Sequence, residues 1–430
     1  MKISTLLLLL AGLATSQICH AQNNRPGQRG PTVVSPDIGS DRKVTFHVKA
    51  PEAETVILSG DIAEDTALEK GEDGLWSVTL GPIDPDIYFY RFVIDGVPTL
   101  DPSNPDVKIG FTTSTIVSIL EVRADGPAFY DIKDVPHGVL RTHLYSSKSN
   151  NMIRELNVYT PPGYGANPEQ RYPVLYLLHG MNNDHHSWHR YGRADEILDN
   201  LLADGEIQPF IVVMPLGYGG ASADGQHRGF LGPRGREGLA PNLYERDIIE
   251  DVIPFIERNY RTISDQEHRA IVGFSMGGGH SSRIGLGNLD TFSYIGVMSA
   301  GMRGGEETEP LKTLAADPKA ANEKIKLLWI ACGRDDFALP GARTMSENLD
   351  KIGIEHTFVE TDGAHHWRVW RRYLRDLAPQ LFVESKAGTE PDGKHYEESK
   401  HSHHVRLTAG GAHLPGHGAD QRGGAQGRRH

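Results

Sequence analysis

Between Tyr130 and Val383, short apolar runs alternate with segments of helical spacing. The runs are Val174–Leu178, Phe210–Met214, Ala270–Val272, Tyr294–Met298, Leu327–Ala331 and Thr357–Val359. Between them, Ile197, Leu198, Leu201 and Leu202 fall on one helical stripe, as do Ile249, Val252, Ile253 and Ile256. Strands that are apolar along their whole length, spaced by amphipathic helices, predict a parallel sheet covered on both faces. In such a sheet, the loops at the carboxyl ends of the strands carry the chemistry.

Ahead of this region the period changes. From Lys43 to Val122 the signal is alternation: Val44, Phe46 and Val48; Trp76, Val78 and Leu80 after Asp73-Gly74; Tyr88, Tyr90 and Phe92 before Asp95-Gly96; then Ile116–Leu120. Period-two patterning between turn residues predicts a small antiparallel β-sandwich over residues 40–125. Asn23 to Gly39 reads as a Pro/Gly/Arg-rich linker. After Glu384 large apolar residues almost vanish, and residues 386–430 are expected to form a disordered tail. At 430 residues the chain has room for two or three domains.

The first 22 residues read as a secretory signal: Lys2 is the basic start, Leu6 to Ala14 the short apolar stretch, and Cys19-His20-Ala21 the cleavage region. Export to the periplasm or outside the cell is therefore expected. Cys19 as a lipid anchor is disfavoured by the bulky Ile18 before it. No other stretch has the length of a bilayer span. The other cysteine, Cys332, ends an apolar run and reads as a buried thiol, so a disulfide scaffold is excluded. With 44 Lys and Arg against 56 Asp and Glu, a net charge of −12 excludes nucleic acid as a partner.

The motif Gly273-Phe274-Ser275-Met276-Gly277 follows an apolar run and opens a helix-compatible segment. A serine in G-x-S-x-G at a strand–turn–helix junction is held exposed on a tight turn, where side chains two residues either side would collide with strand and helix. The Met276 amide then points at the helix mouth, a position for an oxyanion donor. Such a serine needs a base and a group to orient it, which follow later in the chain. One strand end carries Asp335-Asp336 and the next His365-His366, and spacing leaves open which member of each pair serves. Gly180 and Met181 after the Val174–Leu178 run suit the second oxyanion donor, and His179 a packing and hydrogen-bonding role. His185, His186 and His189 have no ligand spacing and no neighbouring acidic helix pair apparent in the sequence, and the tail histidines His401, His403 and His404 lie in a structureless stretch. No metal is expected at either place.

Several stretches together resemble the esterase-D-like α/β-hydrolases, and among them carbohydrate esterase family one of the feruloyl esterase type. They are Arg154 with Val158–Tyr164, Tyr176–Gly180, Ile253–Glu257 with Asn259-Tyr260, His268–Gly279, Ala331–Gly333, and His365 with Trp370. The resemblance covers most of residues 130–383, within a hydrolase domain expected over 126–385, and implies Ser275 as nucleophile, His365 as base, Asp336 as acid, and the amides of Met181 and Met276 as oxyanion donors. It implies no cofactor. Its substrates are feruloyl or acetyl esters of plant cell-wall xylan, for which Trp188 and the loop Gly217–Gly235 are candidate pocket walls. Gly74–Val78, Tyr88–Gly96 and Asp101-Pro102 resemble early-set modules close to carbohydrate-binding module family 48, which implies that the sandwich is immunoglobulin-like. Trp76 and the tyrosines there suit sugar stacking, although the alternation turns several of them toward the core. Two rival readings are a siderophore esterase, which joins a similar module to this hydrolase type, and a glycan-binding protein with an inactive hydrolase domain.

Overall fold

The computed structural model describes residues 33–110, 116–219, 241–301, 308–383 and 404–407. The expected signal peptide, the linker as far as residue 32, most of the tail and most of Gly217–Gly235 lie outside the described residues. Among the described residues no helix is long and apolar enough to cross a membrane.

The front region is a β-sandwich of two antiparallel sheets. One runs Asp37–Ile38, Val44–Lys49, Leu75–Leu80, Glu69–Lys70; the other Thr66–Ala67, Val56–Gly60, Asp86–Ile94, Val117–Val122, Val107–Lys108. It begins at Asp37, inside the expected linker, because Asp37 and Ile38 pair with Thr45 and Val44; two residues are too few to show a period. The alternating set forms the core, including Val44, Phe46, Val48, Tyr88, Tyr90 and Phe92. Trp76 is buried there too, its indole N–H donating to the Ala50 carbonyl at 2.8 Å. A sugar would meet other side chains on this module.

The second region is built on a nine-stranded sheet. Its strands are β1 (Val139–Ser147), β2 (Met152–Thr160), β3 (Val174–Leu178), β4 (Ile211–Pro215), β5 (Arg269–Phe274), β6 (Tyr294–Met298), β7 (Leu327–Gly333), β8 (Thr357–Thr361) and β9 (His404–Leu407). The order is β1-β2-β4-β3-β5-β6-β7-β8-β9. From β4 to β8 every pairing is parallel. Every residue of β3, β4, β5 and β6 is buried, and the two faces divide the side chains. Tyr176 and Leu178 join one core cluster, Leu175 and Leu177 the other. Burial on both faces is why these runs show no alternation.

Two features depart from expectation. β1 and β2 form a long antiparallel pair at one edge, where β1 is half exposed and its mixed composition hides it. At the other edge, β9 pairs antiparallel with β8, inside the stretch expected to be disordered. An edge strand offers unpaired N–H and C=O groups to any extended segment, whatever its hydropathy.

The helices that matter for the site are α1 (Ser187–Arg190), α2 (Ala194–Ala203), α3 (Met276–Gly287), α4 (Leu339–Ile352) and α5 (Trp367–Leu377). The sandwich is joined to α5 and the sheet by one of its own strands. In Asp86–Ile94, Tyr88, Tyr90 and Phe92 face the sandwich core while Ile87 and Phe89 enter a core cluster of the second region. Arg371 of α5 is fully buried, donating to the Ile87 carbonyl at 3.1 Å and the Tyr191 carbonyl at 2.7 Å and pairing with Asp86. Arg368 donates to the Asp61 carbonyl and lies over the Tyr88 ring.

Candidate active site

Ser275 sits between β5 and α3 with φ 54° and ψ −119°, a conformation that L residues rarely adopt. The flanking glycines explain why it is held there. A Cβ on Gly273 would lie 2.5 Å from the Gly277 carbonyl, and one on Gly277 would lie 2.6 Å from the His179 carbonyl oxygen. The turn closes only with bare α-carbons at both positions.

Two later strand ends converge on this turn. His365 Nε2 is 2.9 Å from Ser275 Oγ. His365 Nδ1 is 2.9 Å and 3.0 Å from the two carboxylate oxygens of Asp336. The structure thereby separates the adjacent pairs left open by spacing. Asp336 is 4% exposed, whereas Asp335 is exposed. It is His365, not His366, that meets Ser275 Oγ; the His366 Nδ1 is buried without a partner, and burial pushes that imidazole down to about 4. Burial pushes the Asp336 carboxyl up, but hydrogen bonds from His365, the Ala338 amide and Ser299 outweigh it and hold it below the ordinary value. An ionised carboxylate on Nδ1 fixes the N–H tautomer there, leaving Nε2 free to accept the serine proton.

The backbone around Met181 and Met276 frames the serine. Met276 opens α3, where amide groups lack helical partners. Gly180 packs so closely that a Cβ there would sit 3.1 Å from Ser275 Cβ and 2.4 Å from the Phe274 ring. His179 fastens this loop: Nδ1–H donates to the Gly180 carbonyl and Nε2 accepts from the Gly217 amide, each at 2.8 Å. Burial pushes His179 down to about 4, so it stays neutral and holds both bonds. Arg154, fully buried, pairs with Asp247 and donates to the Tyr218 and Leu216 carbonyls, fixing the loop that supplies Gly217.

Trp188, expected as a pocket wall, is 1% exposed. Its indole N–H donates to the Leu178 carbonyl at 3.0 Å, and its ring packs edge-on against Phe274 and Trp367. A ring with its donor satisfied inside an aromatic cluster supports the serine turn from beneath and does not meet substrate. Among the described residues, the exposed aromatic at His365 is instead Phe337, 77% accessible and tilted against the imidazole with ring centres 4.3 Å apart. Its signal in the sequence is a large apolar residue directly after the acid, in a loop with no core to fill.

The family model named Esterase matches residues 147–381, more than half of the chain and every residue of this constellation. The chain belongs to the Esterase family. This esterase is 34% identical over 367 residues to the Endo-1,4-beta-xylanase/feruloyl esterase of Xylanibacter ruminicola, covering 84% of this chain and 47% of that protein. It is 26% identical over 259 residues to Endo-1,4-beta-xylanase Y of Acetivibrio thermocellus, covering 54% of this chain and 22% of that one. The esterase thus spans less than half the length of these two relatives. The feruloyl esterase module from Clostridium thermocellum aligns with a TM-score of 0.51 at 21% identity, covering 63% of this chain and 97% of that one. The enterobactin esterase from Shigella flexneri aligns with 0.59 at 16% identity, covering 79% and 93%. Both show a shared fold, and the second extends beyond the hydrolase domain.

Proposed function

We propose that this protein is a serine carboxylester hydrolase that removes feruloyl or acetyl groups from plant cell-wall xylan. The observation that carries the reading is the continuous Ser275–His365–Asp336 hydrogen-bond chain on a strained turn at a helix start. Ser275 Oγ attacks the ester carbonyl while His365 Nε2 takes its proton. The tetrahedral oxyanion is held by the amides of Met181 and Met276, each worth roughly 3 kcal/mol. His365 returns the proton to the leaving sugar oxygen, and Asp336 stabilises the imidazolium between these steps. Water, activated by the same imidazole, then hydrolyses the acyl-enzyme. Xylan enters through the relatives, whose names join xylanase and feruloyl esterase, and the Met1–Gln22 segment suits an enzyme exported to a polymer too large to import.

Replacing Ser275 with Ala is expected to lower kcat on methyl ferulate and aryl acetates by at least about 10⁴-fold with an unchanged circular dichroism spectrum. Turnover within tenfold of wild type would discard the mechanism. A second reading, a siderophore ester hydrolase, is favoured by the alignment to the enterobactin esterase over both regions of the chain. Rates on feruloylated arabinoxylan, acetylated xylan and a ferric catecholate ester separate the two readings. The front module is proposed as an accessory to the hydrolase, a reading supported by its resemblance to family 48 modules in Gly74–Val78, Tyr88–Gly96 and Asp101-Pro102. Retardation of the full protein in arabinoxylan-containing gels, with and without the esterase serine, reads any glycan binding.

A further inference from the structure

The segment that runs from α1 into α2, after β3, carries a cluster that the esterase chemistry does not use. His189 lies in α1, and Asp195 and Glu196 in the first turn of α2. His189 Nδ1 is 2.7 Å from Asp195 Oδ2. One ligand atom from each of the three residues lies within 4.8 Å of the other two. The sequence hides this because the acidic pair stands six and seven residues beyond His189, across the turn at Gly192 and Arg193, whose φ of 53° folds α2 back.

The carboxylates are underused. Glu196 is 8% exposed; its Oε2 and Asp195 Oδ1 are buried with no donor from any other residue, and the two carboxyl groups lean on one another. Arg193 reaches only Glu196 Oε1, at 3.7 Å. Leaving two carboxylate oxygens buried and unmatched is costly unless something positive joins them.

We propose that His189, Asp195 and Glu196 bind one divalent transition-metal ion of zinc-like chemistry, with water completing the coordination. One imidazole nitrogen and two carboxylate oxygens are a borderline donor set that suits zinc. Calcium, which takes six to eight oxygens, finds too few here. Ligand atoms on a tetrahedral zinc stand about 3.3 Å apart, so His189 and Asp195 need separate by only a fraction of an ångström. The ion would tie α1 to α2, and α1 carries Trp188 against Phe274 under the serine turn. The site is independent of the esterase reading.

The test uses the full chain, stripped with a chelator and titrated with zinc chloride by calorimetry and thermal unfolding, with calcium chloride in parallel. Wild type is expected to bind one more zinc equivalent than Glu196→Gln or Asp195→Asn, with at least about tenfold weaker binding left at the site in either variant. Its melting midpoint is expected to rise with zinc, and that of the variants to stay unmoved. Tail histidines bind ions equally in all of them, so the difference reads the site. His189→Asn, at the more exposed wall, gives the same reading should a carboxylate variant fail to fold. Equal stoichiometry and equal midpoint shifts in wild type and variants would overturn the proposal and leave a shared proton as the counter-charge. A calcium response as large as that of zinc would overturn the donor-set argument.

Discussion

Two of the histidine–aspartate pairs in the hydrolase domain are close in length. His365 meets Asp336 at 2.9 Å, and His189 meets Asp195 at 2.7 Å, each through Nδ1. What separates them is the second neighbour. His365 presents Nε2 to a serine hydroxyl on a strained turn at the start of a helix, whereas a buried glutamate stands beside the other pair. A histidine–aspartate pair is a way of fixing a tautomer. Whether it becomes a base or a ligand depends on what shares its site.

The sharpest way to break this comparison is to neutralise both acids. Asp336→Asn is expected to lower kcat by about 10³ to 10⁴, because the amide reverses the hydrogen bond and leaves the wrong tautomer facing Ser275. Asp195→Asn should lower it at least about 100-fold less. Ester hydrolysis under saturating substrate checks both, and equal losses would show that the second pair also serves the chemistry.

A second contrast lies in the two arginines that meet Asp86. Arg371 is fully buried and Arg372 is half exposed. Arg371→Met leaves Asp86 short of its buried partner and is expected to destabilise by about 3–5 kcal/mol. Arg372→Met should change stability by at most about 1 kcal/mol. Chemical denaturation of the two variants side by side makes the measurement.

The buried neutral histidines predict a pH effect of known sign. Burial holds His179 and His366 at about 4, below the roughly 6.5 of an unfolded chain. Between these values the unfolded state binds protons that the folded state refuses. Stability should therefore fall as pH drops from about 6.5 toward 4. Melting midpoints across pH 4–8 check it, and a flat profile would contradict the neutral role of His179. The smallest effect belongs to Phe337→Ala, expected to leave stability within about 0.5 kcal/mol and to raise KM for aryl esters.

Much of this was legible in the residues themselves. The continuous runs of β3 to β6 announce two-sided burial, and G-x-S-x-G at the end of β5 declares its own sterics. Alternation marks Tyr88, Tyr90 and Phe92 as core. It says nothing of Ile87 and Phe89, whose opposite face is covered by the other domain. Choosing Asp336 over Asp335 needs burial, and composition does not encode it. Trp188 misled because an aromatic beside a catalytic loop serves equally well as wall or foundation, and only the Leu178 carbonyl tells which. Arg154 and Arg371 look like surface charges until their carbonyl partners, more than 60 residues away in sequence, are in place.

The strand Asp86–Ile94 belongs to two interiors at once. A shortened protein beginning near residue 126 would lose the covering of the cluster that holds Ile87 and Phe89, and would bare a guanidinium on the helix that leaves directly from His365. Anyone trimming this chain to a minimal catalyst should therefore cut elsewhere, or redesign the outer side of that helix first.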